Sequence, residues 1–278
     1  MAESAIASTG YALREVRRWR DGRSETDQDC IAEEVPVALF YNERPHVVMM
    51  ATPLDLDDFA LGFSLSEGVI GHADELESIE TKNLLEGIEV RMHVPAARAD
   101  ALQARQRNLT GRTSCGLCGT QALEDAVRQP ARVDFGIDVD AASLHRALAH
   151  LHDRQPLNAA TGATHAAAWA HADGTVRLLR EDVGRHNALD KLIGAMVRAG
   201  EDPRQGFLIV TSRASYEMVQ KAATAGISML AAISAPTALA IQLAQATGVT
   251  LIGFAREKSH VVYAQRESGA GVHAESAS

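Results

Sequence analysis

Cysteine is scarce in this chain, with three in 278 residues. Cys115 and Cys118 stand close together and Cys30 is far away, which makes no disulfide framework and fits a reducing, cytoplasmic setting. Positive charge is in deficit. A formal net charge of −9 excludes a general nucleic-acid binder, because phosphate affinity comes from clustered Lys and Arg. It leaves room for a local basic pocket that holds a phosphorylated ligand. The start, Met1-Ala2-Glu3-Ser4, lacks the basic segment followed by an apolar one that marks a secretory signal. Charge is missing altogether from Ala222 to Ala255, but Gly226, Pro236, Gln242, Gln245 and Gly248 interrupt that run. It reads as strands and helices of a covered sheet and not as a membrane span of about 20 apolar residues. No internal repeat is present.

What is there is a chain long enough for one large domain or two modest ones. Residues 1–30 are polar, with a basic run at Arg14, Arg17, Arg18 and Arg20, and read as a solvated arm or an edge strand. Residues 31–110 read as a smaller α+β domain. Two strands, Val35 to Tyr41 and His46 to Ala51, flank a turn at Asn42-Glu43-Arg44-Pro45. A helix spans Leu54 to Glu67 with acidic residues in its first turn. Two further strands surround Glu86-Gly87, and a helix runs from Ala97 to Asn108. Residues 111–120 form a cysteine loop. Residues 121–266 read as an α/β domain with a mainly parallel sheet: strands near 165–170, 175–180, 206–211, 228–233 and 250–254, and helices near 187–199, 216–225 and 236–246. Residues 267–278, rich in Ser, Gly and Ala, read as a disordered tail.

Arg112-Thr113-Ser114-Cys115-Gly116-Leu117-Cys118-Gly119 carries the first candidate chemistry. Cys-x-x-Cys supports metal chelation, dithiol redox, or a thiol that carries sulfur. A thiol beside a basic side chain, here Arg112, tends towards the reactive thiolate. Structural zinc needs four ligands, and there is no second Cys-x-x-Cys. Zinc deaminases place His-x-Glu before Pro-Cys-x-x-Cys; here His273-Ala274-Glu275 follows the cysteines and Ser114 replaces the proline. No metal site is expected. A thioredoxin-like dithiol belongs at a helix start after a strand, and the glycines argue for a loop instead.

Three strand-to-helix loops carry the second. Glu181-Asp182-Val183-Gly184-Arg185-His186-Asn187 offers Arg185 as a bidentate anion grip, His186 as a group that titrates near neutrality, and Asn187 as a helix cap. Thr211-Ser212-Arg213-Ala214-Ser215 repeats the arrangement with hydroxyls at a helix N-terminus. Ser234-Ala235-Pro236-Thr237 places Pro at a first helical position. In open α/β sheets such loops line one edge, where ligands bind. Together they favour a phosphate-bearing ligand. His165 begins an apolar strand.

These blocks, with Thr161-Gly162-Ala163-Thr164-His165-Ala166-Ala167, Thr52-Pro53-Leu54-Asp55 and Gly62-Phe63-Ser64-Leu65-Ser66-Glu67-Gly68, resemble the formate dehydrogenase accessory sulfurtransferases, the FdhD/NarQ family. The resemblance runs from about Glu34 to Arg256. It implies a cytoplasmic sulfur carrier with a cytidine-deaminase-like larger domain, often a homodimer. Such a protein takes sulfur as a persulfide from a cysteine desulfurase. It passes the sulfur to the molybdenum (or tungsten) of the bis(molybdopterin guanine dinucleotide) cofactor serving formate dehydrogenase. Thiolate chemistry agrees with the resemblance: Cys115 is favoured as the persulfide site and Cys118 as its partner, either accepting the sulfur next or attacking Cys115 to release it and leave a disulfide. The resemblance implies Phe254, Ala255, Arg256, Glu257, Lys258 and Ser259 as a cofactor-binding stretch, beside Arg185, His186, Asn187, Thr211, Ser212, Arg213 and His165. A molybdenum-cofactor-binding chaperone without covalent sulfur transfer is the alternative.

Overall fold

The computed structural model describes residues 9–110 and 130–266. The cysteine loop and the expected tail lie outside the described residues.

The basic run is an edge strand, the second of its two expected forms. Strands β1 (Tyr11–Arg20) and β2 (Arg23–Ala32) form a two-stranded hairpin closed at Asp21-Gly22, both in the left-handed region. Its basic strand lies against an acidic one, and Arg18 pairs with Asp27 at 2.9 Å.

A four-stranded sheet follows, ordered β4-β3-β6-β5. Strands β3 (Val35–Tyr41) and β4 (Arg44–Ala51) turn on Asn42 and Glu43, both at positive φ, as a two-residue hairpin loop requires. Pro45 is tolerated because β4 is an edge strand and its register with β3 shifts at Phe40. Strand β6 (Ile88–His93) runs parallel to β3 and antiparallel to β5 (Ser78–Asn83). Helix α1 (Leu56–Ser66) presses Phe59 and Phe63 onto Val37, Leu39, Val90 and Met92. Helix α2 (Ala96–Thr110) closes this module.

The larger module is a six-stranded sheet ordered β12-β11-β10-β9-β7-β8. Its strands are β7 (His165–His171), β8 (Val176–Asp182), β9 (Gly206–Val210), β10 (Met229–Ala232), β11 (Thr250–Arg256) and β12 (Ser259–Ala264). The sheet is mixed, which corrects the expectation of a mainly parallel one. Only β9, β10 and β11 pair in parallel; β7 is antiparallel to both its neighbours and β12 to β11. Short connections decide this, since a tight hairpin can only join antiparallel strands. Strand β12 was not foreseen.

Helices α5 (Arg185–Arg198), α6 (Tyr216–Thr224) and α7 (Ala238–Thr247) cover one face, where Trp169, Leu208, Val210 and Leu230 meet Leu189, Leu192 and Met218. Helix α3 (Ala141–Leu151) covers the other, with Leu144 and Leu148 on Phe207 and Ile209. A short helix, α4 (Pro156–Thr161), leads into β7. The two modules meet where α1 crosses α5. A Cβ on Gly62 would lie 1.7 Å from the Asp190 carbonyl oxygen, and one on Gly194 would lie 2.0 Å from that of Asp58. Only glycine permits that backbone approach.

Candidate functional site at one sheet edge

Because β8 and β9 are each antiparallel to β7, they run the same way, as do β10 and β11. The carboxyl ends of four strands and the start of β7 therefore share one edge. All the expected ligand residues outside the cysteine loop arrive there. His165 sits opposite Asp182 in register. The Ala166 amide donates to Thr211 Oγ1 at 2.9 Å, and the Thr211 amide donates back to Ala166 O at 3.0 Å. Ser234 N donates to Ser212 O, Thr237 N to Ala214 O and Phe254 N to Ser234 O, so the loops are stitched side by side.

Details of the caps differ from expectation. Gly184, not Asn187, is the N-cap of α5. The Asn187 amide nitrogen is committed to Met50 O at 2.8 Å and to Asp182 Oδ1 at 3.0 Å. Pro236 precedes the helix it was expected to open; Thr237 is the cap, its Oγ1 accepting from Ala240 N. Along β11, Arg256 donates to the carbonyls of Ile233 and Ala255. Glu257, Lys258 and Ser259 are exposed beyond it. Phe254 is 45% exposed and adopts φ 49°, a conformation that a bulky side chain rarely takes. It sits at the bulge between β11 and β12, 6.5 Å from the Tyr263 ring.

Polar atoms are left over at this edge. Arg185 Nε and Ser215 Oγ are buried without a hydrogen-bond partner among the described residues. Native structures rarely leave buried donors unsatisfied, so such a cluster asks for an explanation. His186 Nε2 lies 2.6 Å from Glu217 Oε2, an ion-pair contact whose angles do not make a hydrogen bond. Burial pushes the His186 imidazole below its ordinary value, with Glu217 opposing and Arg185 assisting. His165 is lowered for the same first reason, and then by Arg185. A neutral imidazole can donate from one nitrogen and accept at the other, and burial favours that form at both positions. Arg213 is exposed, and Ser212 Oγ donates to Arg213 O.

Behind the edge lie buried charges that the sequence reading did not assign to the site. Asp182 is fully buried; its carboxylate accepts from Thr52 N, Gly184 N and Asn187, and pairs with Lys191 Nζ at 2.7 Å. Lys191 also donates to Thr52 O at 2.9 Å. Burial lowers the Lys191 ammonium, and Asp182 opposes. Lys221 meets Asp190 at 3.0 Å, Glu67 at 2.6 Å and Ser66 Oγ at 2.9 Å. Burial works against its charge too, but Asp190 and Glu67 outweigh it and hold Lys221 above the ordinary lysine value. The available signal was spacing: His186 and Asp190 are one helical turn apart, as are Glu217 and Lys221.

Beside these groups is a cavity of about 380 Å³ walled by Phe63, Arg105, His186, Tyr216 and Lys221. Arg105 belongs to α2, whose last residue, Thr110, precedes the cysteine segment. Among the described residues no group of three His, Cys, Asp or Glu side chains gathers to hold a metal, and no helix is long and apolar enough to cross a membrane.

The FdhD/NarQ family pattern matches residues 32–269. A sulfur carrier protein FdhD of Xanthomonas euvesicatoria is 58% identical over 254 residues, covering 91% of this chain and 90% of that protein. The sulfur carrier protein FdhD of Cupriavidus necator is 53% identical, covering 90% of this chain and 86% of its own length. The crystal structure of a putative formate dehydrogenase accessory protein from Desulfotalea psychrophila superposes with a TM-score of 0.69. That match has 23% identity and covers 91% of this chain and 96% of that one, a likeness of fold. By the length of the family match and the identity of these relatives, the chain belongs to the FdhD/NarQ family.

Proposed function

We propose that the protein is a cytoplasmic sulfur carrier. In this reading it takes sulfur from a cysteine desulfurase as a persulfide on Cys115. It delivers that sulfur to the molybdenum or tungsten of a bis(molybdopterin guanine dinucleotide) cofactor destined for formate dehydrogenase. The observation that carries the reading is the sheet edge. Five chain segments converge on it, and it holds Arg185 Nε and Ser215 Oγ buried and, among the described residues, unpartnered. Such donors at helix N-termini suit the pyrophosphates of a dinucleotide. The names of the relatives supply the sulfur.

The chemistry needs no outside oxidant. The Cys115 thiolate attacks the outer sulfur of the desulfurase persulfide. The old S–S bond breaks, a new one forms on Cys115, and the desulfurase cysteine leaves as thiolate. Cys118 then accepts the sulfur or releases it by attacking Cys115, leaving a disulfide. The cofactor is cargo, held by its phosphates at the sheet edge. We assign the larger module to the cytidine-deaminase-like fold, supported by its β7–β8 hairpin followed by three parallel strands with helices between. We also assign a homodimer as the working form.

Mass spectrometry after incubation with a desulfurase and cysteine tests this. One added sulfur on the wild type is expected, and none on the Cys115→Ala/Cys118→Ala protein. Sulfur retained by that double variant would sink the proposal. A second reading, a cofactor-binding chaperone, is favoured by one observation: the polar groups gathered at the edge, Arg185 and Ser215 among them, suit an anion and are not sulfur chemistry. It predicts that a Cys115→Ser protein still matures active formate dehydrogenase in cells.

A further inference from the structure

Helices α5 and α6 start side by side at the sheet edge and are tied by two rungs. The outer rung is His186 to Glu217, 2.6 Å apart; the inner is Asp190 to Lys221, 3.0 Å apart, one turn deeper on each helix. The outer rung is open, with the Glu217 side chain 61% exposed, while Asp190 and Lys221 are 1% and 6% exposed. The inner rung gathers a third element: the Ser66 hydroxyl of α1 donates to Asp190 Oδ1 at 2.6 Å and accepts from Lys221 at 2.9 Å. The Lys221 ammonium also lies 5.4 Å from the Phe63 ring centre.

A buried ion pair gains little stability over apolar side chains of equal volume, because desolvation offsets the attraction. It does demand one geometry, since a misplaced buried charge is heavily penalised. We propose that Asp190 and Lys221 are positioning residues. They fix α6 on α5 and so set where His186, Arg185 and the Thr211–Ser215 turn stand to receive a phosphate-bearing ligand. This inference rests on the ligand reading of the sheet edge given above. Residues that touch the ligand are one turn away, and the inner rung acts only through them.

The test uses the full chain with Asp190→Leu and Lys221→Met together. Exchanging both members of a buried pair for apolar side chains is often neutral or stabilising, and Glu67, the remaining partner of Lys221, has a side chain 38% exposed that water can serve; a thermal melt verifies the fold. Guanosine diphosphate affinity is measured by calorimetry, and backbone exchange by mass spectrometry over residues 212–217. The expected result is an affinity at least about tenfold weaker and exchange at least about tenfold faster, with an unlowered melting temperature. Where the wild type binds guanosine diphosphate, either change without the other overturns the proposal, as does neither. If the wild type itself does not bind guanosine diphosphate, the nucleotide reading fails. The exchange rates alone then decide whether the inner rung holds the turn. Should the double variant fail to fold, Ser66→Ala removes one hydroxyl from the inner rung. It carries the same test with changes of about threefold.

Discussion

The loops of the two modules treat their polar groups differently. In the four-stranded module two loop side chains, Asn42 and Glu75, find partners nearby. Asn42 donates to Val94 O and accepts from Val94 N, and Glu75 takes the amides of Gly71 and His72 and the guanidinium of Arg98. At the edge of the six-stranded sheet, Arg185 Nε and Ser215 Oγ are buried with none among the described residues. Both regions are polar, charge-bearing turns in the sequence. The difference teaches that composition marks a polar loop, while leftover hydrogen-bonding capacity marks one that waits for something.

Four substitutions would break or sharpen that contrast. The largest effect is expected behind the edge. Asp182→Ala would leave Lys191 as a buried charge without its carboxylate, a loss of about 3–5 kcal/mol read by urea unfolding. Arg185→Ala should do the reverse. Stability holds or rises because an unsatisfied buried donor is gone, while guanosine diphosphate affinity drops by about 1.5–3 kcal/mol. A calorimetric titration separates the two. Asn42→Ala removes two satisfied hydrogen bonds from the other module and should lower stability by about 1–2 kcal/mol without touching ligand affinity. The smallest effect is a slope. The folded pKa of His186 lies below its unfolded value near 6.5, so the folded state binds fewer protons there. Its contribution is present above that pH and lost as pH falls through the folded pKa. Stability measured at successive pH values below 6.5 should therefore fall less steeply in His186→Asn than in the parent.

Much of this was legible in the sequence. The run Gly206–Val210 is buried at every position and reads as a covered strand. The three strand-to-helix loops were visible from hydroxyls and arginines between apolar runs, and they do meet at one edge. Strand direction was not legible. It depends on how short the β7–β8 and β11–β12 connections are, and Ser259–Ala264 mixes Ser, His and Tyr with its valines. The buried lysines were the larger miss. Lys191 and Lys221 read as surface residues, as lysine nearly always is. Their partners come from as far as Thr52 and Ser66, contacts that no local pattern encodes.

The glycine crossing of α1 and α5 has a consequence for how the chain can be divided. The two modules look separable in sequence, yet a fragment starting at residue 130 would carry Asp190, Lys191 and Lys221 into its interior without Thr52, Ser66 and Glu67. It would also bare the groove that α1 fills. Each half alone would lose buried partners that the other supplies, and the molecule should melt in a single cooperative transition.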